Sequence, residues 1–269
     1  MAIPQQTADL TAYLAQVSEA ELECCRLFRP EEPLIILDIG ACEGEDTVRY
    51  SRTFPHARLF AFEPLPANQE HIRTNLARHG VPQAELVPLA LSDRSGTATF
   101  HVSSGQPPNL FAGVDWNYGN KSSSLLPPAQ PDPMHGWIEF KEAITVPTGT
   151  LDEFCRMRGL DHIDFIQMDV QGAEQLVLNG ATTILPKVTA IWLEVSNHEL
   201  YRGQTLAADL TSFMLRHGFL LSYSTYRGDG IEGDHLYVNL RRSRTWSYAA
   251  TRRLRSILGQ IRRALATLG

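Results

Sequence analysis

The chain has 269 residues and a mass of 30.0 kDa, with 43% hydrophobic and 20% charged residues. That is enough for one large α/β domain or two small ones, and it excludes a disordered chain. The net charge of −6 divides into −14 before Asn239 and +8 after it, because the last stretch holds Arg241, Arg242, Arg244, Arg252, Arg253, Arg255, Arg262 and Arg263 and no acid. An acidic body with a basic tail argues against nucleic acid as the main partner and leaves anionic membrane surfaces open to the tail. Cys24, Cys25, Cys42 and Cys155 form neither a disulfide framework nor a zinc-type Cys-x-x-Cys pair. No apolar run reaches the length of a membrane span, and the first residues lack a basic start followed by an apolar core. The expected location is the cytoplasm, with peripheral contact to the inner membrane face left open through the tail.

Taken in order, residues 7–28 repeat Leu10, Tyr13, Leu14, Val17 and Leu22 at helical spacing behind a Thr7 cap, which predicts a lid or packing helix. Residues 34–39 are nearly continuously apolar, as a strand covered on both faces should be. The run stops at Gly40-Ala-Cys-Glu-Gly44, and a helix follows through Tyr50. Residues 58–63 predict a second strand ended by Pro64, and 67–79 a helix closed by Gly80. Residues 84–91 predict a third strand, with 97–102 pairing after a turn at 93–96. The Gly-, Pro-, Ser- and Asn-rich residues 103–137 have no sustained period and read as a substrate-side flap. Beyond them come a short helix (150–157), a strand (163–170), a helix (172–179), a strand (189–195) and a helix (206–217). Two final strands (219–224 and 235–240) flank a turn around 227–233. Strands alternating with helices and ending in a hairpin predict an α/β doubly wound sheet with one antiparallel C-terminal strand. The tail (245–268) places Trp246, Ala250, Leu254, Ile257, Leu258, Ile261, Leu265 and Leu268 on one face and arginines on the other. Such a helix packs on its own domain or on a second copy in a homo-oligomer, or it anchors at a membrane interface. The division expected is an extension (1–33), a catalytic domain (34–240) and a basic helix (241–269).

A strand, a glycine turn and a helix are the parts of a nucleotide pocket at the carboxyl edge of a parallel sheet. Asp38 sits before the turn, where its carboxylate would face a ligand over Gly40, Ala41 and Gly44. The spacing is neither the dinucleotide fingerprint nor a phosphate loop. Asp-x-Gly-x-x-x-Gly instead looks like the first motif of S-adenosylmethionine-dependent methyltransferases. Glu63 ends the second strand about 23 residues after Gly40, near the spacing of a ribose-binding acid, with Pro64 beside it. Ser92 and Asp93 stand where an adenine edge would be read, although Asp93 equally suits the start of a β-turn. Asp169 and Glu194 close two further strands at the same edge; each suits a base that takes a proton from an acceptor hydroxyl, and Asp169 also joins Asp38 and Glu63 as a donor-binding candidate on one crevice. Ser122, Ser123 and Ser124, with Lys121, are candidates to hydrogen-bond a polyol or the donor's carboxylate. His198 and His235 are reserve bases on the substrate side, each with a structural role as the simpler reading. Asp169, Glu194 and Asp234 would also suit magnesium, but nothing in the spacing demands it, and no metal is expected.

These stretches together resemble the FkbM family of methyltransferases. The carriers are Asp38-Ile-Gly-Ala-Cys-Glu-Gly44, Phe62-Glu-Pro64, Ala90-Leu-Ser-Asp93, Ser122-Ser-Ser-Leu125, residues 164–174, Leu193-Glu-Val195 and Leu200-Tyr-Arg-Gly-Gln204. The resemblance implies a class I methyltransferase (Rossmann-like) fold, S-adenosylmethionine as donor, and O-methylation of a hydroxyl on a sugar, glycolipid, glycan or polyketide-like metabolite. The family usually has Glu where this chain has Gln171, a change that removes a charge on the substrate side. The rival readings are a nucleotide-sugar or NAD-dependent oxidoreductase and a non-catalytic membrane-associated adaptor working through its tail. The missing third glycine and the absence of a Tyr-x-x-x-Lys pair disfavour the first.

Overall fold

The computed structural model describes residues 10–107, 118–129, 136–226, 230–242, 244, 245 and 248. The amphipathic tail expected over 245–268 therefore lies outside the described residues, apart from Thr245 and Tyr248. Two short helices come first, α1 (Leu10–Ala15) and α2 (Glu19–Leu27). A single helix was expected here. The break falls at Ser18, whose hydroxyl accepts the Glu21 N–H at 3.0 Å and so starts α2 as an N-cap.

The central unit then runs β1 (Ile35–Ile39), α3 (Glu45–Thr53), β2 (Arg58–Phe62), α4 (Pro66–His79) and β3 (Ala84–Val87). Next come β4 (Ala90–Leu91), β5 (Gly96–Ser104), a 3₁₀ turn (Tyr118–Ser122) and β6 (Glu139–Gly149). The chain continues through α5 (Leu151–Arg158), β7 (Ile163–Met168), α6 (Glu174–Asn179), β8 (Val188–Ser196), α7 (Ala207–Arg216), β9 (Phe219–Ser224) and β10 (Glu232–Asn239). Seven strands form one sheet in the order β3-β2-β1-β7-β8-β10-β9. Its pairs are parallel from β3 through β8, and β10 runs antiparallel to both neighbours, as expected of the closing hairpin.

The apolar run of β1 is explained by its place at the centre. Ile35, Leu37 and Ile39 enter the larger core, which includes Phe154 of α5, Val177 of α6 and Leu210 of α7. Ile36 faces the opposite core, with Val48 and Tyr50 of α3 and Cys24 and Leu27 of α2. Both faces are thus covered, and the carboxyl ends of β1, β2 and β7 are left to meet at one edge.

Two strand expectations are corrected. Residues 84–91 are not one strand, because Pro88 has no N–H to give a ladder and the chain passes from β3 into β4 of a second sheet. That sheet has the order β4-β6-β5, so residues 97–102 pair with β6 and not with the strand before the 93–96 turn. β6 was not foreseen. Its residues are mostly exposed, so it lacks the half-buried alternation that marks a strand in sequence.

The N-terminal helices pack through one buried cation. The Arg49 side chain is 4% exposed, and Nε lies 3.1 Å from Asp46 while Nη1 lies 3.3 Å from Glu21. It also donates to the backbone carbonyls of Tyr13 and Gln16 and stacks its guanidinium 4.5 Å from the Tyr13 ring centre. Arg49→Met leaves Asp46 and Glu21 without their counter-charge. It is expected to lower unfolding free energy by about 3 kcal/mol in urea titration, and a loss below about 1 kcal/mol would show that the cation is not what ties α1 and α2 to α3.

Candidate active site

The loop after β1 is shaped by the strand beside it. The N–H groups of Gly40 and Ala41 both donate to the Phe62 carbonyl at 3.0 Å, and the Asp169 N–H donates to the Ile39 carbonyl at 2.9 Å. Gly40 has φ +88°, and a Cβ there would lie 1.8 Å from the Asp169 carbonyl oxygen. No other residue fits, which makes this glycine a requirement of the close approach between two strand ends. Gly44, at φ +79°, then leads into α3.

The loop walls a cleft enclosing about 530 Å³, including its open mouth, within the range of small-molecule sites. Gly40, Cys42, Glu63, Pro64, Asn68 and Asp169 line it on the sheet side. Asn120, Lys121, Ser123 and Leu125 close it from the flap. Glu63 accepts the Cys42 N–H at 3.0 Å on one carboxylate oxygen and the Leu65 N–H at 2.8 Å on the other. Asn68 adds a third hydrogen bond, so the carboxylate is fixed in direction and keeps room to accept one hydroxyl. Burial raises its pKa to about 7. Lys121 pairs with Glu45 at the start of α3, which raises the ammonium pKa against the effect of burial.

A second cavity opens beside the first and shares Lys121, Asp169 and Gln171 with it. Its other walls include Ser122, Phe140, Glu194, Leu200, Tyr201 and Glu232. Gln171 sits at the boundary with φ +54°, an uncommon conformation for a residue with a side chain. Its Nε2 donates to Asp169 at 2.7 Å and to Glu194 at 2.9 Å, while its Oε1 accepts the Tyr201 hydroxyl at 2.8 Å. One neutral amide therefore holds two carboxylates together. Glu194 has its pKa raised well above the ordinary carboxylate value, first by burial and then by the charge of Asp169.

Several candidates stand elsewhere. Asp38 does not line the cleft; its carboxylate is turned under the loop, where it accepts the Thr47 hydroxyl of α3, and burial raises its pKa. Ala41 and Gly44 shape the loop without lining the cleft. Ser92 and Asp93 lie just past its edge, where Leu89, Ala90 and Leu91 form the wall instead. Ser124 is fully buried and lines neither cavity; its hydroxyl donates to the Gln171 carbonyl at 2.7 Å and accepts the Leu126 N–H, so it shapes the flap. His198 is exposed and lines neither cavity. His235 is buried and pairs with the Tyr237 hydroxyl at 2.9 Å on the α7 face, opposite Glu194 and Asp234. Burial lowers its pKa to about 4. Asp234 bonds Thr225, and among the described residues no three of His, Cys, Asp or Glu are grouped to hold a metal ion.

A sheet with parallel strands at its centre, a glycine loop after the first strand and an acid ending the second is the class I methyltransferase arrangement that the resemblance implied. The Methyltransferase FkbM domain model matches residues 38–221, more than half of the chain. NoeI, a 2-O-methyltransferase of Sinorhizobium fredii, is 34% identical over 207 residues, covering 77% of this chain and 80% of that protein. Methyltransferase 1 of Beauveria bassiana is 25% identical over 65% of this chain and 74% of its own length. The AMB antimetabolite synthetase AmbE of Pseudomonas aeruginosa is 31% identical over 70% of this chain but only 10% of that protein. The chain belongs to the FkbM methyltransferase family and is an S-adenosylmethionine-dependent enzyme. The oxidoreductase and adaptor readings give way to that assignment.

The turn between β7 and α6 rests on a further acid. Glu174 is 1% exposed, and its Oε1 accepts the N–H groups of Val170 at 3.3 Å and Gly172 at 3.1 Å. Burial raises its pKa from 4.5 to about 7. Between those values the folded chain holds a proton that the unfolded chain has released, so this group's contribution to stability falls as pH rises through the window. Glu174→Gln keeps Oε1 for both N–H groups and removes the buried charge. It is expected to raise unfolding free energy at pH 8 by roughly 1–3 kcal/mol and by much less at pH 5. An equal change at both pH values would contradict this.

Proposed function

We propose that the enzyme methylates a hydroxyl of a sugar, glycolipid or related polyhydroxylated metabolite. The observation that carries this reading is the pair Asp169 and Glu194, clamped by Gln171 where the two cavities meet. The relative named as a 2-O-methyltransferase supports oxygen as the acceptor atom. The catalytic unit is taken as residues 34–240, with 1–33 as an extension whose described helices pack on α3 and 241–269 as a basic extension.

The first cavity is assigned to the donor. Gly40 lets the chain approach it closely, Glu63 accepts from a ribose hydroxyl, and Asp38 supports the loop from beneath. Ala41, Gly44 and Pro64 set the loop's course, and Ser92 and Asp93 lie beyond the adenine end. When bound, the donor supplies a methyl group already activated on a sulfonium. What the protein adds is alignment and exclusion of water.

The second cavity is assigned to the acceptor. Phe140 and Tyr201, with ring centres 6.3 Å apart and planes at 90°, give it apolar walls suited to the C–H faces of a sugar. Ser122 and Ser123 stand at the flap side of the two cavities. Glu194 is the base: burial makes its carboxylate more basic than usual, so it takes the hydroxyl proton as the new C–O bond forms. Gln171 fixes its direction, and Asp169 is the second acceptor on the same amide.

Incubation with a labelled methyl donor and glycan or lipid fractions should label a hydroxyl-bearing product. Glu194→Gln is expected to lower kcat by at least about 100-fold while binding of S-adenosylhomocysteine, measured by calorimetry, stays within about two-fold. Because the proton must be off Glu194 and its pKa is raised, kcat should climb with pH along a limb lying above the ordinary carboxylate range. A flat kcat through pH 5–8 (roughly the span tested), or an active Glu194→Gln variant, would remove Glu194 from the role.

A further inference from the structure

Asn120 was not singled out in the sequence, and nothing in the donor assignment above uses it. It sits on the 3₁₀ turn of the flap, is 7% exposed, and lines the donor cleft. Its Nδ2 donates to Glu43 at 3.0 Å and to Asn68 Oδ1 at 3.0 Å. Its Oδ1 is shut off from solvent and has no hydrogen-bond partner. The amide cannot be turned over to correct this, because its oxygen would then face the Glu43 carboxylate, which only accepts. A buried carbonyl left without a donor costs stability, and such a group marks a place where a partner is missing.

The position says which partner fits. Asn68, which receives the Asn120 amide, also bonds Glu63 and reaches the Cys42 thiol. Cys42 in turn gives its N–H to the Glu63 carboxylate. Asn120 is therefore one residue removed from the acid assigned to the ribose, on the flap side of the same cleft. A ribose hydroxyl has one proton to give and two lone pairs. With one hydroxyl donating to Glu63 and its neighbour donating to Asn120, the diol would be held between sheet and flap. We propose that Asn120 Oδ1 accepts a hydrogen bond from a ribose hydroxyl of the methyl donor, so that the flap completes the donor site. The inference rests on the donor assignment of this cleft and adds a contact from an element expected to serve the acceptor.

The test is a cycle between protein and ligand. Binding of S-adenosylhomocysteine and its 2′-deoxy and 3′-deoxy analogues is measured by calorimetry for the full chain and for Asn120→Leu, which keeps the branched skeleton of Asn without its polar atoms. In the wild type, removing the partnered hydroxyl should weaken binding about five- to ten-fold. In Asn120→Leu that loss should shrink to about two-fold or less for the same hydroxyl. A purely structural role for Asn120 would weaken all three ligands alike, leave both hydroxyl losses unchanged and overturn the proposal. A wild type that binds S-adenosylhomocysteine without this coupling ends the Asn120 contact alone, whereas a wild type that does not bind it ends the donor assignment as well. Should the variant not fold, a crystal structure of the wild type with S-adenosylhomocysteine decides. Oδ1 within about 3.2 Å of a ribose oxygen supports the contact, and Oδ1 facing no ligand donor overturns it.

Discussion

The site depends on one backbone approach. The chain leaving β1 passes so close to the chain leaving β7 that the Asp169 carbonyl occupies the space where a side chain at residue 40 would begin. That approach is possible because both strands are buried on both faces and held in parallel register, with Ile39 opposite Met168. It places the glycine loop, Glu63 at the end of β2 and the Asp169–Gln171 turn around one cleft. The two cavities share that turn, so their separation is set by rigid strand ends and not by loops alone.

Charge in this region is arranged by burial more than by pairing. Glu63, Glu174, Glu194 and Asp234 all have raised pKa values, and burial is the first cause in each. Backbone N–H groups hold two of them, and the Gln171 amide holds Glu194. The result is a set of carboxylates that hold their protons to higher pH than they would in water, which costs stability. A carboxylate in place of the Gln171 amide would add a like charge between two acids and lose the donor that joins them.

Much of this arrangement was legible in the sequence. The apolar run of β1, Glu63 before Pro64 and Asp169 at the end of β7 all mark the carboxyl edge, because period and strand-end acids depend only on local sequence. Asp38 was placed correctly in the chain but not in space: a strand residue alternates faces, and its face here belongs to Thr47 of α3. Phe140 and Asn120 left no signal. One lies on a mostly exposed strand and the other in a flap without periodicity, so each reaches the cavities only through tertiary packing. Gln171 was noticed for the charge it lacks, while its role as a bridge needed the positions of Asp169, Glu194 and Tyr201.

The most direct measurement is calorimetric titration of Gly40→Ala with S-adenosylhomocysteine beside the wild type, with circular dichroism to confirm a folded variant. If the approach of the two strand ends builds the donor site, the wild type binds and the folded variant loses affinity by at least about 100-fold, the equivalent of 2.7 kcal/mol. A folded variant that binds as tightly as the wild type would contradict the account.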